Sequence, residues 1–315
     1  MRKHLWDYKK NMNLSSLFIV AAGICWWLDW LLRSQIVWLS PLVIVTLEHA
    51  IGFILLAVIG WSHFRLPKLN KKAWLSLIGV ALFSGLIGTY AFTWALANVN
   101  YTSFGVLFLL QKLQPVFAIT AALIFLGERP KKSFYFLALG ALFASYFLSF
   151  GKAGFDFSFG TDAFRSAIAS IIAAVCWGSA TVFSRYLSQQ GYKARTMTAY
   201  RLGMVAILGT ITLWALTLFG INLFTFPDNI AQFSMIMVGI ALLSGVIGTT
   251  FYYRGIQFTP ASQATIFELS FPLTGLLLDI FYTHKTPDLW QIIAGVILVV
   301  IMITIARGEK QRGNI

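Results

Sequence analysis

Ser84 to Thr89 reads SGLIGT, and Ser244 to Thr249 reads SGVIGT. The copies stand 160 residues apart in a chain of 315. Each lies inside a long apolar run, the first from Ala73 to Ala97, the second from Ser234 to about Ile256. Equivalent hydrophobic segments in two halves of one chain indicate an internal repeat, and a repeat decides the architecture. Other matches extend it. Cys25-Trp26 falls on Cys176-Trp177 at an offset of 151. Tyr101-Thr102 falls on Phe258-Thr259, and Pro115 on Pro272, at 157. The same offset places Gln111 on Glu268, Glu128 on Lys285 and Pro130 on Pro287. The change from 160 to 157 puts a three-residue length difference in the turn after the third apolar run.

The composition sets the solvent. Hydrophobic residues make up 58% of the chain, only 11% is charged, and the mean hydropathy is +0.76. A water-soluble domain cannot hide that much apolar surface, so backbone polar groups must be satisfied in helices or a closed barrel within lipid. The apolar runs are about 20 residues long without period-two alternation, which selects helices. Ten spans are expected, at about 14–32, 39–61, 73–97, 102–125, 132–150, 164–187, 196–219, 230–255, 260–282 and 288–306. The first is too long for a signal-peptide core and precedes no cleavage site, so it reads as an uncleaved helix. Residues 1–13 and 307–315 form basic terminal segments, and 151–163 links two five-helix units, 14–150 and 164–306.

The net charge of +13 is a topological signal here, since Lys and Arg collect on the cytoplasmic side of a membrane. With the N-terminus inside, 18 of the 24 basic residues fall on the inner side, four fall outside, Arg33 among them, and Lys112 and Arg201 lie within spans. That asymmetry supports both termini in the cytoplasm of a cytoplasmic-membrane protein. An odd number of helices per unit then inverts the second unit relative to the first. Inverted repeats are a recurring plan of secondary transporters, with the substrate site near the midplane. Cys25 and Cys176 both fall inside spans, against a disulfide framework or zinc site. The chain has no phosphate-binding loop and no H-E-x-x-H, so no cofactor, metal or nucleic-acid partner is expected.

The five-helix repeat resembles the EamA-like branch of the drug/metabolite transporter superfamily. The resemblance rests on Cys25-Trp26 and Cys176-Trp177-Gly178, the glycine-bearing third helix, and the fourth-helix ending Pro115 … Leu126-Gly127-Glu128-Arg129. It covers about 14–150 and 165–306, and departs at His284-Lys285, where the second unit lacks the Gly-Glu pair. Membership implies ten helices, a central cavity and transport of a small organic solute, with no particular substrate.

Intramembrane charge is costly and marks functional candidates. Glu268 shares a face of the ninth span with Ala261, Ala264, Pro272, Gly275 and Asp279. It either lines a translocation pathway or forms a structural ion pair. Gln111, Lys112 and Gln114 spread over roughly 160° of the fourth span, too wide an arc to face lipid. A Lys112–Glu268 interaction across the repeat interface is one expectation. Glu48 and His49, mid-way along the second span, either pair with Lys112 and serve proton coupling or form a buried structural pair. Arg201 reads as a residue snorkelling to the inner surface, and Asp29 has the same escape at the outer end. Tyr90 and Trp94, one turn apart, are candidates for the face of the SGLIGT stretch and for solute contact. Gly85, Gly88, Gly245, Gly248, Pro115 and Pro272 are packing or hinge candidates. The leading reading is a secondary transporter working by alternating access, driven by protons or by exchange. Export of metabolites or drugs competes with nutrient uptake. The rival classes are a lipid-intermediate flippase and a non-transporting scaffold or sensor. An enzyme is disfavoured because the intramembrane charges scatter over four spans. Membrane lipids are the expected surroundings, and the oligomeric state stays open.

Overall fold

The computed structural model describes residues 2–60, 70–98, 107, 110–153, 161–281 and 286–312. The described residues are helical and contain no strand. The first half contributes α1 (Arg2–Arg33), α2 (Pro41–Ile59), α3 (Lys71–Ala97), α4 (Gln114–Phe125) and α5 (Lys132–Phe150). The second contributes α6 (Thr161–Gln189), α7 (Ala194–Leu218), α8 (Ile230–Ile256), α9 (Ala261–Phe267), α10 (Ser270–Phe281) and α11 (Leu289–Arg312). Eight of these elements carry a segment long and apolar enough to cross a membrane: α1, α2, α3, α5, α6, α7, α8 and α11.

Many of the buried positions are taken by small residues. Ala22, Ala81, Ala95, Ala118, Ala141, Ala173, Ala199, Ala241 and Ala264 are buried, whereas Phe136, Phe143, Ile124, Trp214 and Val58 point outward. Lipid is as apolar as a leucine side chain, so helices associate through close packing, which small residues permit. Glycine serves the same end. A Cβ on Gly178 would stand 2.9 Å from the Gln114 carbonyl oxygen, so α6 can touch the backbone of α4 only because that atom is missing.

The halves pack crosswise. Helix α1 lies on α8 while α6 lies on α3, α2 packs on α7, and α5 on α11. The repeated stretches sit at these crossings, and both are wound as π-helix, over Val80–Ile87 and Ala241–Gly248. Such wide turns insert a residue into the helix and cluster at functional positions. In each copy the final threonine donates its hydroxyl five residues back: Thr89 to the Ser84 carbonyl and Thr249 to the Ser244 carbonyl, both at 2.9 Å. The indole Nε1 of Trp177 donates to the Ser84 carbonyl at 3.2 Å. Across the other crossing, a Cβ on Gly248 would stand 3.0 Å from Trp26 Nε1. The helix-one tryptophan of each half therefore docks on the widened third helix of the other.

The fourth and ninth spans are not continuous helices. The helix ahead of α4 turns at Lys112-Leu113, and α9 ends in a turn at Glu268-Leu269 before α10. The cause is the proline four residues on. Pro115 cannot donate to the Gln111 carbonyl, nor Pro272 to that of Glu268, and each ring crowds the carbonyl it fails to bond. Tighter i→i+3 bonds bridge the gaps: Val116 to Leu113 at 2.9 Å and Phe271 to Glu268 at 3.0 Å. The first half's LGE ending has a plain structural use. Gly127 takes φ +65 beyond the end of α4, and the Glu128 N–H closes back on the Ala122 carbonyl at 3.2 Å. The Glu128 carboxylate then accepts from the N–H groups of Ala261 and Ser262 at 2.9 and 3.0 Å, capping α9 of the other half. His284, Lys285 and the Asp279 side chain lie outside the described residues.

Candidate functional site

Where the two broken spans meet α1, α3, α6, α7 and α8, the bundle holds an open cavity of about 120 Å³. Its wall is aromatic and polar in patches. Trp26, Trp30, Phe92, Trp177, Tyr252 and Phe271 supply rings. Gln111, Lys112, Gln114 and Glu268 converge from the two breaks.

These four form a directed chain. Gln111 Nε2 donates to Gln114 Oε1 at 2.9 Å, and Gln114 Nε2 donates to Glu268 Oε2 at 2.7 Å. Glu268 is 9% exposed, and its Oε1 has no hydrogen-bond partner within the protein. Tyr252, whose hydroxyl lies 2.7 Å from that of Thr181, approaches the same carboxylate. The expected Lys112–Glu268 ion pair does not form within 4.0 Å among the described residues. Lys112 Nζ instead sits 4.2 Å above the Phe271 ring, a cation–π contact in a desolvated place. The ammonium faces the cavity beside the carboxylate, and both groups keep bonding capacity for a solute.

A second polar cluster, at the end of α1, reaches the cavity wall through Asp29, Arg33 and Thr93. Arg33, 4% exposed, gives Nη2 to Glu48 Oε2 at 2.8 Å and to Asp29 Oδ2 at 3.1 Å. Its Nη1 reaches Thr93 Oγ1 at 3.4 Å. This corrects three expectations. Arg33 is not an outer-surface residue, Asp29 does not escape to water, and Glu48 pairs with Arg33 rather than Lys112. A buried carboxylate needs a close cation, and the i,i+4 spacing of Asp29 and Arg33 supplies one within the same helix. His49 is also removed from Lys112. Its Nδ1 lies 2.8 Å from the Val45 carbonyl, and Glu48 and His49 stand behind the cavity wall rather than in it.

Arg201 does not snorkel. It is 8% exposed, lines the cavity, and bridges the repeated stretches by donating to Thr249 Oγ1 at 3.1 Å and to the Ser84 carbonyl at 3.4 Å. No carboxylate of the described residues lies within 4.0 Å of it, and its Nε has no partner. Arg33 and Arg201 are the site residues missed by sequence reasoning. Both stand near span ends, where a long side chain normally reaches water.

Tyr90 and Trp94 are likewise corrected. Tyr90 is 38% exposed, and neither residue lines the cavity. Thr89, Phe92, Thr93 and Leu96 do. The π-turn adds a residue to α3 and rotates everything after it, so a face drawn with ordinary α spacing falls one position off. Among the glycines, a Cβ on Gly85 would stand 2.3 Å from Val205 Cγ2, and one on Gly88 2.8 Å from Trp177 Nε1. Gly245 is looser, at 3.5 Å from Leu202 Cδ2. Pro115 borders the cavity, while Pro272 acts through the backbone of the α9–α10 turn.

An all-helical bundle of this apolarity, with polar side chains gathered at two helix breaks around a cavity, defines the class of membrane transporters. The chain belongs to the EamA-like transporter family, whose profile matches residues 13–150 and 164–307. It is 29% identical to the riboflavin transporter ImpX of Fusobacterium nucleatum, over 94% of this chain and 99% of that protein. It is 24% identical to the protein LicB of Haemophilus influenzae, over 86% and 89%. A solved crystal structure superposes with a TM-score of 0.69 over 91% of this chain and 96% of that one, at 19% identity, which supports the fold alone.

Proposed function

We propose that this protein carries riboflavin or a close flavin across the cytoplasmic membrane by alternating access. The two broken spans complete ten crossings, in two inverted units at 14–150 and 164–306, with both termini in the cytoplasm. The observation that carries the reading is the cavity itself: ring-lined walls suited to a flat heteroaromatic solute, with buried polar groups collected at its middle. Similarity to a riboflavin transporter over almost the full length of both chains supports the choice of solute. Glu268 is the proposed meeting point of solute and proton. Competition between them for one carboxylate couples the two fluxes, with the crosswise helix pairs as the parts that rock.

Purified protein reconstituted into vesicles tests this. Riboflavin uptake is expected to exceed that of protein-free vesicles and to accelerate under an imposed pH gradient. The gradient effect should be absent in Glu268→Gln. Uptake no faster than in empty vesicles sinks the flavin reading. A Glu268→Gln protein that keeps the full gradient response sinks the coupling.

A further inference from the structure

The pairing of donors and acceptors at the two helix breaks is more specific than a polar patch. The chain Gln111→Gln114→Glu268 fixes which atoms remain free. Each glutamine Nε2 has spent one hydrogen and keeps another. Glu268 Oε2 is occupied, and Oε1 is left as a buried, unpartnered acceptor at the cavity wall. Beside it the Lys112 ammonium keeps its three donors, because its contact with the protein is the Phe271 ring rather than an oxygen. The free functions are thus two kinds of donor and one acceptor: the ammonium, the amide N–H groups and the carboxylate oxygen.

We infer that this array reads the imide edge of a planar heterocycle, the C=O, N–H, C=O sequence of a pyrimidinedione ring. In the pose, Glu268 Oε1 accepts the imide N–H, Lys112 donates to one flanking carbonyl, and a glutamine N–H donates to the other. The inference deepens the flavin reading and rests on it, since the pyrimidinedione end of the flavin ring system carries this edge. Three matched hydrogen bonds in a water-poor site discriminate strongly, because a solute lacking one partner leaves a buried group unpaired. The ring-lined wall, Trp26 and Trp177 included, holds the rest of a flat solute but reads no edge. Specificity therefore belongs to the breaks and bulk affinity to the rings.

The test is a fluorescence-quenching titration of purified full-length protein with riboflavin and with N3-methylriboflavin. The methyl group replaces the imide hydrogen and leaves the rings and side chain unchanged. Loss of this contact is expected to weaken binding roughly 10- to 100-fold. In Glu268→Met, which keeps the side-chain length without an acceptor, the two solutes should bind alike and weakly. Equal affinity of the unmodified protein for both solutes overturns the imide inference and leaves the flavin reading standing. If riboflavin does not bind at all, the flavin reading fails, and lumazine and its N3-methyl derivative decide the inference. Selective binding of the unmethylated lumazine upholds it, and binding of neither or of both equally ends it. The wild-type comparison stands even where the Glu268→Met protein does not fold.

Discussion

In the first half the helix break ahead of α4 carries Gln111, Lys112 and Gln114. In the second, the break between α9 and α10 carries Glu268. The backbone device is the same in both, a proline four residues beyond the polar position. The side chains are of opposite character. A similar contrast separates the arginines. Arg33 of the first half is held by two buried carboxylates, while Arg201 of the second bridges a hydroxyl and a carbonyl with no carboxylate of the described residues within 4.0 Å. The repeat thus preserves what bends and packs, and lets what binds diverge. Matching helix breaks in both halves suit a device that opens on either side. One asymmetric site suits a solute with two different ends.

Substituting the arginines presses hardest on this contrast. Arg33→Met strands two buried carboxylates and is expected to cost about 3–5 kcal/mol, read as the loss of stability in a detergent melt. Arg201→Met breaks no direct ion pair and should cost clearly less while still impairing transport. Equal losses would erase the distinction between a clamp and a bridge. The glycines test the likeness of the halves instead. Gly88→Ala and Gly248→Ala each force a Cβ against an indole of the other half, and each should cost about 1–3 kcal/mol by overpacking. Closely matched melting shifts support equivalent crossings. A large difference would mean that only one of them is tight.

The smallest effect concerns helix caps. Asp288 precedes α11 and exchanges bonds with Gln291: its Oδ1 accepts the Gln291 N–H at 2.9 Å, and its own N–H donates to Gln291 Oε1 at 3.0 Å. Its second oxygen accepts the Lys152 N–H. These donors, Lys152 first, hold the Asp288 carboxyl below its ordinary 3.8. At the repeat offset of 157 the first half has Lys131, which makes no side-chain cap for α5. A carboxyl lowered in the folded state contributes stability above its unfolded value and loses it as pH falls through the folded one. The melting difference between wild type and Asp288→Ala should therefore hold at about pH 6 and shrink below about pH 3.8. A difference that does not change with acid would assign the cap's effect to packing alone.

The architecture was legible because it is written in composition and repetition, which survive without coordinates. The SGLIGT and SGVIGT stretches mark the crossings, and Gln111 and Glu268, aligned by the 157-residue offset, each stand four residues before the proline at a helix break. Pro115 and Pro272 were noticed, yet their four-residue distance from those positions, which dictates the breaks, was not drawn out. Arg33 and Arg201 were misplaced for a physical reason. Position along a span says how far a side chain is from water, but not whether a carboxylate or carbonyl lies nearer still. Tyr90 and Trp94 failed because a π-turn shifts every later residue, and nothing in residue type alone announces it. Pairings between halves, such as Glu128 with the start of α9, depend on which ends meet in space.

The crosswise docking of Trp26 and Trp177 has a consequence for how such a chain holds together. Neither half closes its own third helix, because each lends its tryptophan to the other and borrows one in return. A five-helix chain by itself would be left with an unfilled groove and an unplaced ring. Two copies lying head to tail would satisfy both at once, with no new contact to invent. The single chain thus has the contact plan of a pair of like partners, each holding the third helix of the other, while the polar side chains at the two breaks differ.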